Sequence, residues 1–421
     1  MAIDPQQLVE STFWHQPLET RMEQMREIRE IAPFVPITVQ NDMIGAEETF
    51  HVATRHADVG EISKSPADFC SSRGATSVFD LPTEMLEFFT GFINMDNPRH
   101  AHQRRIVAHT FTPTELKGLL ESVETLCGEV LDSFCEHGEV DLVKVLSEPF
   151  PLMVICDMMG IPRSEVGTVL EATNIILSGG DPEYMPEDAD PIETLIGAGL
   201  LLTNLMTELV DFRRENPTDD LTSKLTNSTS EDGVLTPAEI SSFFILLATA
   251  GNDTTRNAIS HGMSLLSKNP DQRRIWQDDV DGVTATAVDE IVRMASPVTF
   301  MRRTATRDVE ISGHQFTDGD KVVMMYGAAN RDPRVFENPE QFDVRRDPNP
   351  HVGFGGPGPH FCLGAHLARR EVDIVFRQLF ERLPDIEVSG EEVPLQSVGL
   401  PLVAGVKHLP VTFTPSAPVN S

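Results

Sequence analysis

A mainly α-helical fold with a smaller β-rich region is what the chain predicts, and three observations carry that expectation. From residue 1 to about 300, apolar residues recur at three- and four-residue spacing, and strand-like runs occur only at FVPITVQ (34–40) and ETFHVATR (48–55). Beyond that come short strand signals, VEISG (309–313) and DKVVMMY (320–326), then a Pro-rich stretch, one helix at about 363–381 and a hairpin-like region, VGLPLVAGVKHLPVTF (398–413). No internal repeat and no Gly/Ser linker divides the chain, so residues 1–421 are expected to form a single domain, with disorder confined to tails at about 1–12 and 415–421.

Composition narrows the function classes. The 421 residues are 40% nonpolar and 23% charged, as in globular proteins. Lys and Arg number 33 against 65 Asp and Glu, a net charge of −32, which disfavours nucleic acid and anionic membranes as partners. The N-terminus lacks a basic start followed by an apolar run, and no later segment approaches a span of roughly 18 apolar residues, so a cytoplasmic, unanchored protein is expected. Cys70, Cys127, Cys135, Cys156 and Cys362 are odd in number and scattered, with no C-x-x-C pair; small buried thiols in a reducing compartment fit this. Two basic islands interrupt the acidic background, NPRHAHQRR (97–105) and HLARR (366–370), and read either as solvated helix faces or as docking sites.

The best-bounded element is a helix from Pro237 to about Ser267. Thr236 is a good N-cap, Pro237 suits the first helical position, Glu239 completes a capping box and KNP ends the run. About 31 residues at about 1.5 Å each would cross a whole domain, so the helix is expected to be central and buried. Its middle, AGNDTT (250–255), groups poor helix formers and a carboxylate in a buried element. Two readings stay open there: a kink stabilised by Thr hydroxyls, or a widened turn lining a cavity where an acid and an alcohol handle protons.

Three further segments matter. Glu290 and Arg293 share a helix face, a pairing that by itself means little. Residues 332–350 carry four prolines without periodicity, a loop that needs an anchor such as an Arg buried against that pair. In GFGGPGPHFCLGAHLARRE (353–371), Cys362 falls at or just before a helix N-terminus, where backbone N–H groups and the helix dipole favour a thiolate. It is then an inert buried thiol, an anionic ligand, or a nucleophile with His360 as base; the stiff Gly/Pro setting suits a fixed ligand best.

That stretch resembles the haem-binding signature of the cytochrome P450 superfamily, F-G-x-G-x-H-x-C-x-G. AGNDTT is similar to its oxygen-activation motif, EIVR to its E-x-x-R pair, FDVRRDPNPH to its meander, with Arg346 as third member of a Glu/Arg/Arg cluster, and MDNPRHAHQRRIVAHTFTP (95–113) to its propionate-contacting helix. Phe354 departs from the pattern, lying eight residues before Cys362 instead of seven. The resemblance implies the triangular-prism P450 fold with a long central helix, haem b as cofactor, and Cys362 as axial iron ligand, a thiolate that favours O–O cleavage. It implies that His100, Arg104, Arg303 and His360 contact the propionates as cations, that Ala250 and Gly251 leave room for oxygen, and that Asp253 and Thr254 deliver protons. Glu290, Arg293 and Arg346 would be structural.

The resemblance further implies a monooxygenase fed by O2, ferredoxin and ferredoxin reductase, acting as a monomer on a hydrophobic lipid. An acidic ferredoxin would dock on the basic islands, so charge reversal at Arg105 or Arg369 should slow electron transfer without altering substrate affinity. Leu246, Thr249, Ala250, Val298, Thr299, Leu402 and Val403 would face the substrate, a mostly apolar set. ICDMMGIP, SSFFILLATAGNDTTRNAISHGM and DPNPHVGFGG resemble most the actinobacterial subgroup that hydroxylates terminal carbons. Terminal (ω) hydroxylation of a methyl-branched fatty acid or isoprenoid is the resulting expectation. Oxidation of a sterol side chain and a non-turnover haem-thiolate sensor are the alternatives.

Overall fold

The computed structural model describes residues 3–41, 44–80, 91–185, 189–227 and 235–419. Its longer helices are α1 (Leu18–Ile31), α2 (His56–Lys64), α3 (Arg99–Ala108), α4 (Pro113–Asp132), α5 (Pro149–Met159), α6 (Val166–Leu177), α7 (Pro191–Glu215), α8 (Pro237–Lys268), α9 (Pro270–Asp278), α10 (Val280–Ala295) and α11 (Ala365–Arg382). Five strands form the main sheet: β1 (Phe34–Asn41), β2 (Ala46–Ala53), β3 (Phe69–Cys70), β4 (Phe300–Ala305) and β5 (Lys321–Met325), in the order β1-β2-β5-β4-β3. Neighbours are antiparallel except β2 and β5.

The central helix starts and stops where local chemistry directs. The Thr236 side chain accepts the Glu239 N–H, and Glu239 accepts the Thr236 N–H at 2.9 Å; the helix ends before Asn269 and Pro270. Over its 32 residues α8 packs on α5, α6, α7, α10 and α11, and most of its second half is buried. One apolar core gathers these helices around Trp276, whose indole N–H donates to Thr284 Oγ1 at 2.9 Å. A second joins β1, β2 and α1 to the N-terminal segment, with Trp14 donating to the Leu8 carbonyl at 2.8 Å; a third lies on the opposite face of the sheet.

Residues Pro5–Val9 form a short helical turn with Leu8 fully buried, and the Ser416 N–H donates to the Cys135 carbonyl at 2.9 Å while Val419 is 71% exposed. One expectation needs correction: α7 is long and apolar enough, by length and composition, to cross a membrane. Its apolar residues are diluted by Gly, Thr and Asn, which hid the run. Ala198, Gly199, Leu202, Met206 and Val210 are buried, while Ile192, Ile196 and Leu200 are exposed.

The Pro-rich 332–350 segment has neither helix nor strand, and it is anchored as expected. Glu290 takes Arg293 Nε at 2.7 Å and Nη2 at 2.8 Å, and Arg346 Nε at 3.1 Å to both oxygens. The Asp343 N–H and the Asn349 amide complete its shell, so this fully buried carboxylate leaves neither oxygen unmet.

Candidate active site

Cys362 lies in the loop just ahead of α11, whose N-cap is Gly364. Its N–H donates to the Phe354 carbonyl at 2.9 Å, closing a turn that Gly355 enters at φ +88°. The residue added between Phe354 and Cys362 is absorbed there, in a left-handed conformation suited to glycine. Gly358, at φ +152°, lies so close to α2 that a Cβ would collide with the Ser63 carbonyl. Phe354 thereby stays at the cavity edge, with the Arg369 guanidinium 4.3 Å from its ring centroid.

All five cysteines are free; four are buried, and the exposed one, Cys362, faces a partly enclosed cavity of about 210 Å³. Burial pushes its thiol above the ordinary value; the Gly364 N–H, Arg104 and Arg369 oppose this without prevailing. The helix end therefore does not make a thiolate unaided, contrary to the sequence expectation. Burial also pushes Cys127 and Cys156 up to about 12, in keeping with inert core thiols.

Four basic side chains gather on one rim. The His100 and His360 rings lie 4.1 Å apart, Ser71 Oγ is 3.1 Å from His360 Nε2, and Arg104 donates to the Phe361 carbonyl at 2.5 Å. Arg303 is 6% exposed and donates to the Arg302 carbonyl at 2.8 Å. Burial, then Arg303, His100 and Arg104, draw His360 down to about 2, and burial followed by Arg104 lowers His100. Burial and the neighbouring arginines thus bias both imidazoles toward the neutral form, in which each keeps one N–H to donate. Among the described residues neither Arg104 nor Arg303 has an ion-pair partner, and His100 Nε2 is buried with no acceptor or donor.

From α8, Leu246, Ala250, Gly251, Thr254 and Thr255 line the same cavity as Cys362; Thr254 donates to the Ala250 carbonyl at 2.7 Å. The α-helix runs unbroken through AGNDTT, with neither a kink nor a widened turn there; what is present is the Thr254 hydroxyl bond and a cavity-lining face that excludes the acid. Asp253 points elsewhere: it is 3% exposed, absent from the cavity wall, and 3.7 Å from Arg256. Burial, opposed by Arg256 and reinforced by Glu148, pushes it up to about 6. Of the expected substrate positions, Leu246, Ala250 and Val298 line the cavity. Thr249 is turned to its own helix, donating to the Ile245 carbonyl at 2.7 Å, and Thr299, Leu402 and Val403 pack behind the wall.

Sequence reasoning missed several wall residues. Phe92, Ile93 and Phe243 close the far side, and Glu371 reaches the cavity from α11. Glu371 is 3% exposed, is pushed by burial up to about 8, and receives the Thr255 hydroxyl. A signal existed: Leu367, Glu371 and Val375 lie four apart on the buried face of α11, where an acid breaks the pattern.

Comparison with known proteins agrees with this geometry. Residues 200–403 match the family described as Cytochrome P450. The chain is 43% identical over 371 residues to a methyl-branched lipid omega-hydroxylase of Mycobacterium tuberculosis, covering 86% of this chain and 83% of that one. It is 35% identical over 398 residues to a steroid C26-monooxygenase of Mycolicibacterium smegmatis, covering 93% and 90%. A Mycobacterium marinum cytochrome P450 solved in complex with pseudoionone superposes with a TM-score of 0.90 at 35% identity, covering 98% and 99%.

The donor set fits the family's group. One thiol faces an apolar cavity, and two arginines without counter-ions, with an orphaned imidazole nitrogen, meet at one rim; a flat apolar macrocycle with an iron centre and two carboxylates would satisfy all of them. Buried cations left unpaired are costly, so the rim is built for an anionic ligand. The sequence relationship, the shared fold and this fit lead to one conclusion: the chain belongs to the cytochrome P450 family and is a haem-iron monooxygenase.

Proposed function

We propose that the protein binds haem b through Cys362 and inserts one oxygen of O2 into the terminal C–H bond of a methyl-branched fatty acid or isoprenoid lipid. The observation that carries this reading is an apolar cavity whose lining includes both Cys362 and Thr254, together with Phe92, Phe243, Leu246, Leu247 and Val298. Each CH2 buried against such a wall contributes about 0.8 kcal/mol. The 43% identity to a protein named for that reaction supports the substrate class. The 35% identity to a steroid C26-monooxygenase favours sterol side chains as the second reading.

In the proposed mechanism, bound haem supplies oxygen activation, with Cys362 as the electron-donating ligand whose deprotonation the ferric cation favours. Arg104 and Arg303, with donors from His100 and His360, hold the propionates. Each turnover takes up two protons with two electrons and releases one water beside the hydroxylated product. Thr254 orients a proton at the cavity wall, and Asp253 is the carboxyl from which it is replenished. The apolar wall keeps bulk water from supplying protons indiscriminately. Electrons arrive from a ferredoxin, itself served by ferredoxin reductase, at the face carrying Arg105. We further infer a cytoplasmic monomer.

The test is a titration of the ferric holoprotein with straight-chain lipids, methyl-branched lipids and sterols, followed by product analysis after ferredoxin-driven turnover. Methyl-branched lipids should bind at least several-fold more tightly than straight chains and yield the ω-alcohol. Tighter sterol binding with side-chain oxidation overturns the lipid reading, and reduction without any product establishes the sensor. Cys362→Ser should abolish the thiolate-type carbon monoxide band.

A further inference from the structure

On the side of α8 turned away from the cavity lies a buried cluster that the reaction as described leaves unused. Arg256, with its side chain 2% exposed, reaches Glu148 Oε1 at 3.0 Å through Nη1. The same nitrogen donates to Asn174 Oδ1 at 3.2 Å, and Nη2 donates to the Tyr184 hydroxyl at 2.9 Å. Asn174 also donates to Glu148 Oε1 at 3.0 Å. Glu148 comes from the N-cap of α5, Asn174 from α6 and Tyr184 from the connection between α6 and α7.

Asp253 is the second carboxylate beside this guanidinium and the worse served. Its Oδ1 is 3.7 Å from Nη1, beyond hydrogen-bond reach, whereas Nη1 donates to Asn174 and makes its shorter ion-pair contact, 3.0 Å, with Glu148. Arg256 Nε is buried with no acceptor, so the fork has a donor to spare that its present orientation does not aim at Asp253. The other charges nearby belong to Glu148's side of the cluster. Lys144 Nζ lies 3.8 Å from Glu148 Oε2 and 3.2 Å from Glu183, and donates to Tyr184 at 3.1 Å. Two buried carboxyls thus compete for one guanidinium, and Glu148 holds it.

We propose that Glu148 is a positioning residue for the reaction: by holding the Arg256 fork it denies Asp253 a contact counter-ion, and so keeps Asp253 a carboxyl that gains and loses a proton. The inference rests on reading Asp253 as the acid of proton delivery. The proton it accepts from solvent is the one it releases toward the Thr254 side, so the carboxyl is restored in every turnover. A carboxylate in full contact with Arg256 would stay ionised and could not serve. Tyr184 has a smaller part, since it fixes only the second arm of the fork.

The experiment uses the holoprotein and two readouts. The first is the infrared C=O band of a protonated carboxyl, assigned to Asp253 by its loss in Asp253→Asn and titrated with pH. Its midpoint should lie near 6 in the parent, fall by roughly one pH unit in Glu148→Gln as Arg256 turns to Asp253, and fall by less in Tyr184→Phe. The second is the partition of reducing equivalents between hydroxylated product and peroxide at pH 7, which should shift several-fold toward peroxide in Glu148→Gln and be restored in part by Glu148→Asp. An unmoved midpoint in haem-loaded Glu148→Gln, or in Tyr184→Phe should the first variant not fold, overturns the inference. A midpoint that falls while the partition stays unchanged overturns instead the proton-delivery reading of Asp253.

Discussion

Glu371 shows how one side chain sets a pH dependence for the molecule. Its ordinary value is 4.5 and burial raises it to about 8. Below pH 4.5 the folded and unfolded chains are both protonated there and its contribution is intact. Between 4.5 and 8 the unfolded chain ionises while the folded one keeps its proton, so stability is lost as pH rises and levels off above 8, at about 1.4 kcal/mol per pH unit. Glu371→Gln should therefore melt close to the parent at pH 4.5 and a few degrees above it at pH 8, as calorimetry across that range will read. An offset between the two proteins that does not change with pH counts against a neutral Glu371.

At the same scale, the Asp253/Thr254 pair marks where reading the sequence stopped. Successive residues on a helix point about 100° apart, and the arc of α8 that faces the cavity takes in Thr254 and Thr255 on one side and leaves Asp253 outside it. Family resemblance gave the two a shared task, and helical geometry separated their side chains. Thr249 and Ala250 differ for the same reason. Thr299, Leu402 and Val403 were illegible for another: they sit where strand ends meet a loop, and no periodicity tells which way such residues turn.

Among elements, legibility followed locality. The capping box at Thr236 and Glu239 is written within four residues, and the helix begins where those residues place it. Thr236→Ala should cost about 1 kcal/mol, seen as a lower denaturation midpoint with an unchanged haem spectrum. The Cys362 loop is the opposite case, for its shape depends on α2, some 300 positions earlier. Gly358→Ala should drive the loop off Ser63 and reduce both haem retention and the thiolate-type carbon monoxide band, while far-ultraviolet dichroism stays that of the parent. The aperiodic 332–350 stretch demanded an anchoring Arg against Glu290 and Arg293, and it was the family resemblance that picked out Arg346 as that residue.

For the whole molecule, charge is the governing quantity. A protein at −32 repels an acidic partner nearly everywhere, so a cationic patch near the cavity steers more than its size suggests. The structure divides the two candidates proposed for that patch. Arg369 is occupied, with Nε 2.7 Å from Asp289 and its guanidinium over Phe354, so reversing it would disturb the Cys362 loop as well as the field. Arg105 is exposed on α3, and reversing it leaves the Arg369–Phe354 contact of the Cys362 loop in place. Arg105→Glu should slow reduction by ferredoxin several-fold at low salt, with the gap closing as ionic strength rises and substrate affinity unchanged. Equal rates at low salt would remove this docking face.

The chain has two tryptophans, and folding has put one in each of two separate cores: Trp276 among the helices and Trp14 beneath the sheet. Each is a native optical reporter for its own region. Followed through denaturant in Trp14→Phe and Trp276→Phe, their emission should change at one common midpoint if residues 1–421 unfold as a single cooperative body. Two separated transitions would show a β-rich N-terminal region that can loosen while the helical part, with Cys362 and α8, remains assembled.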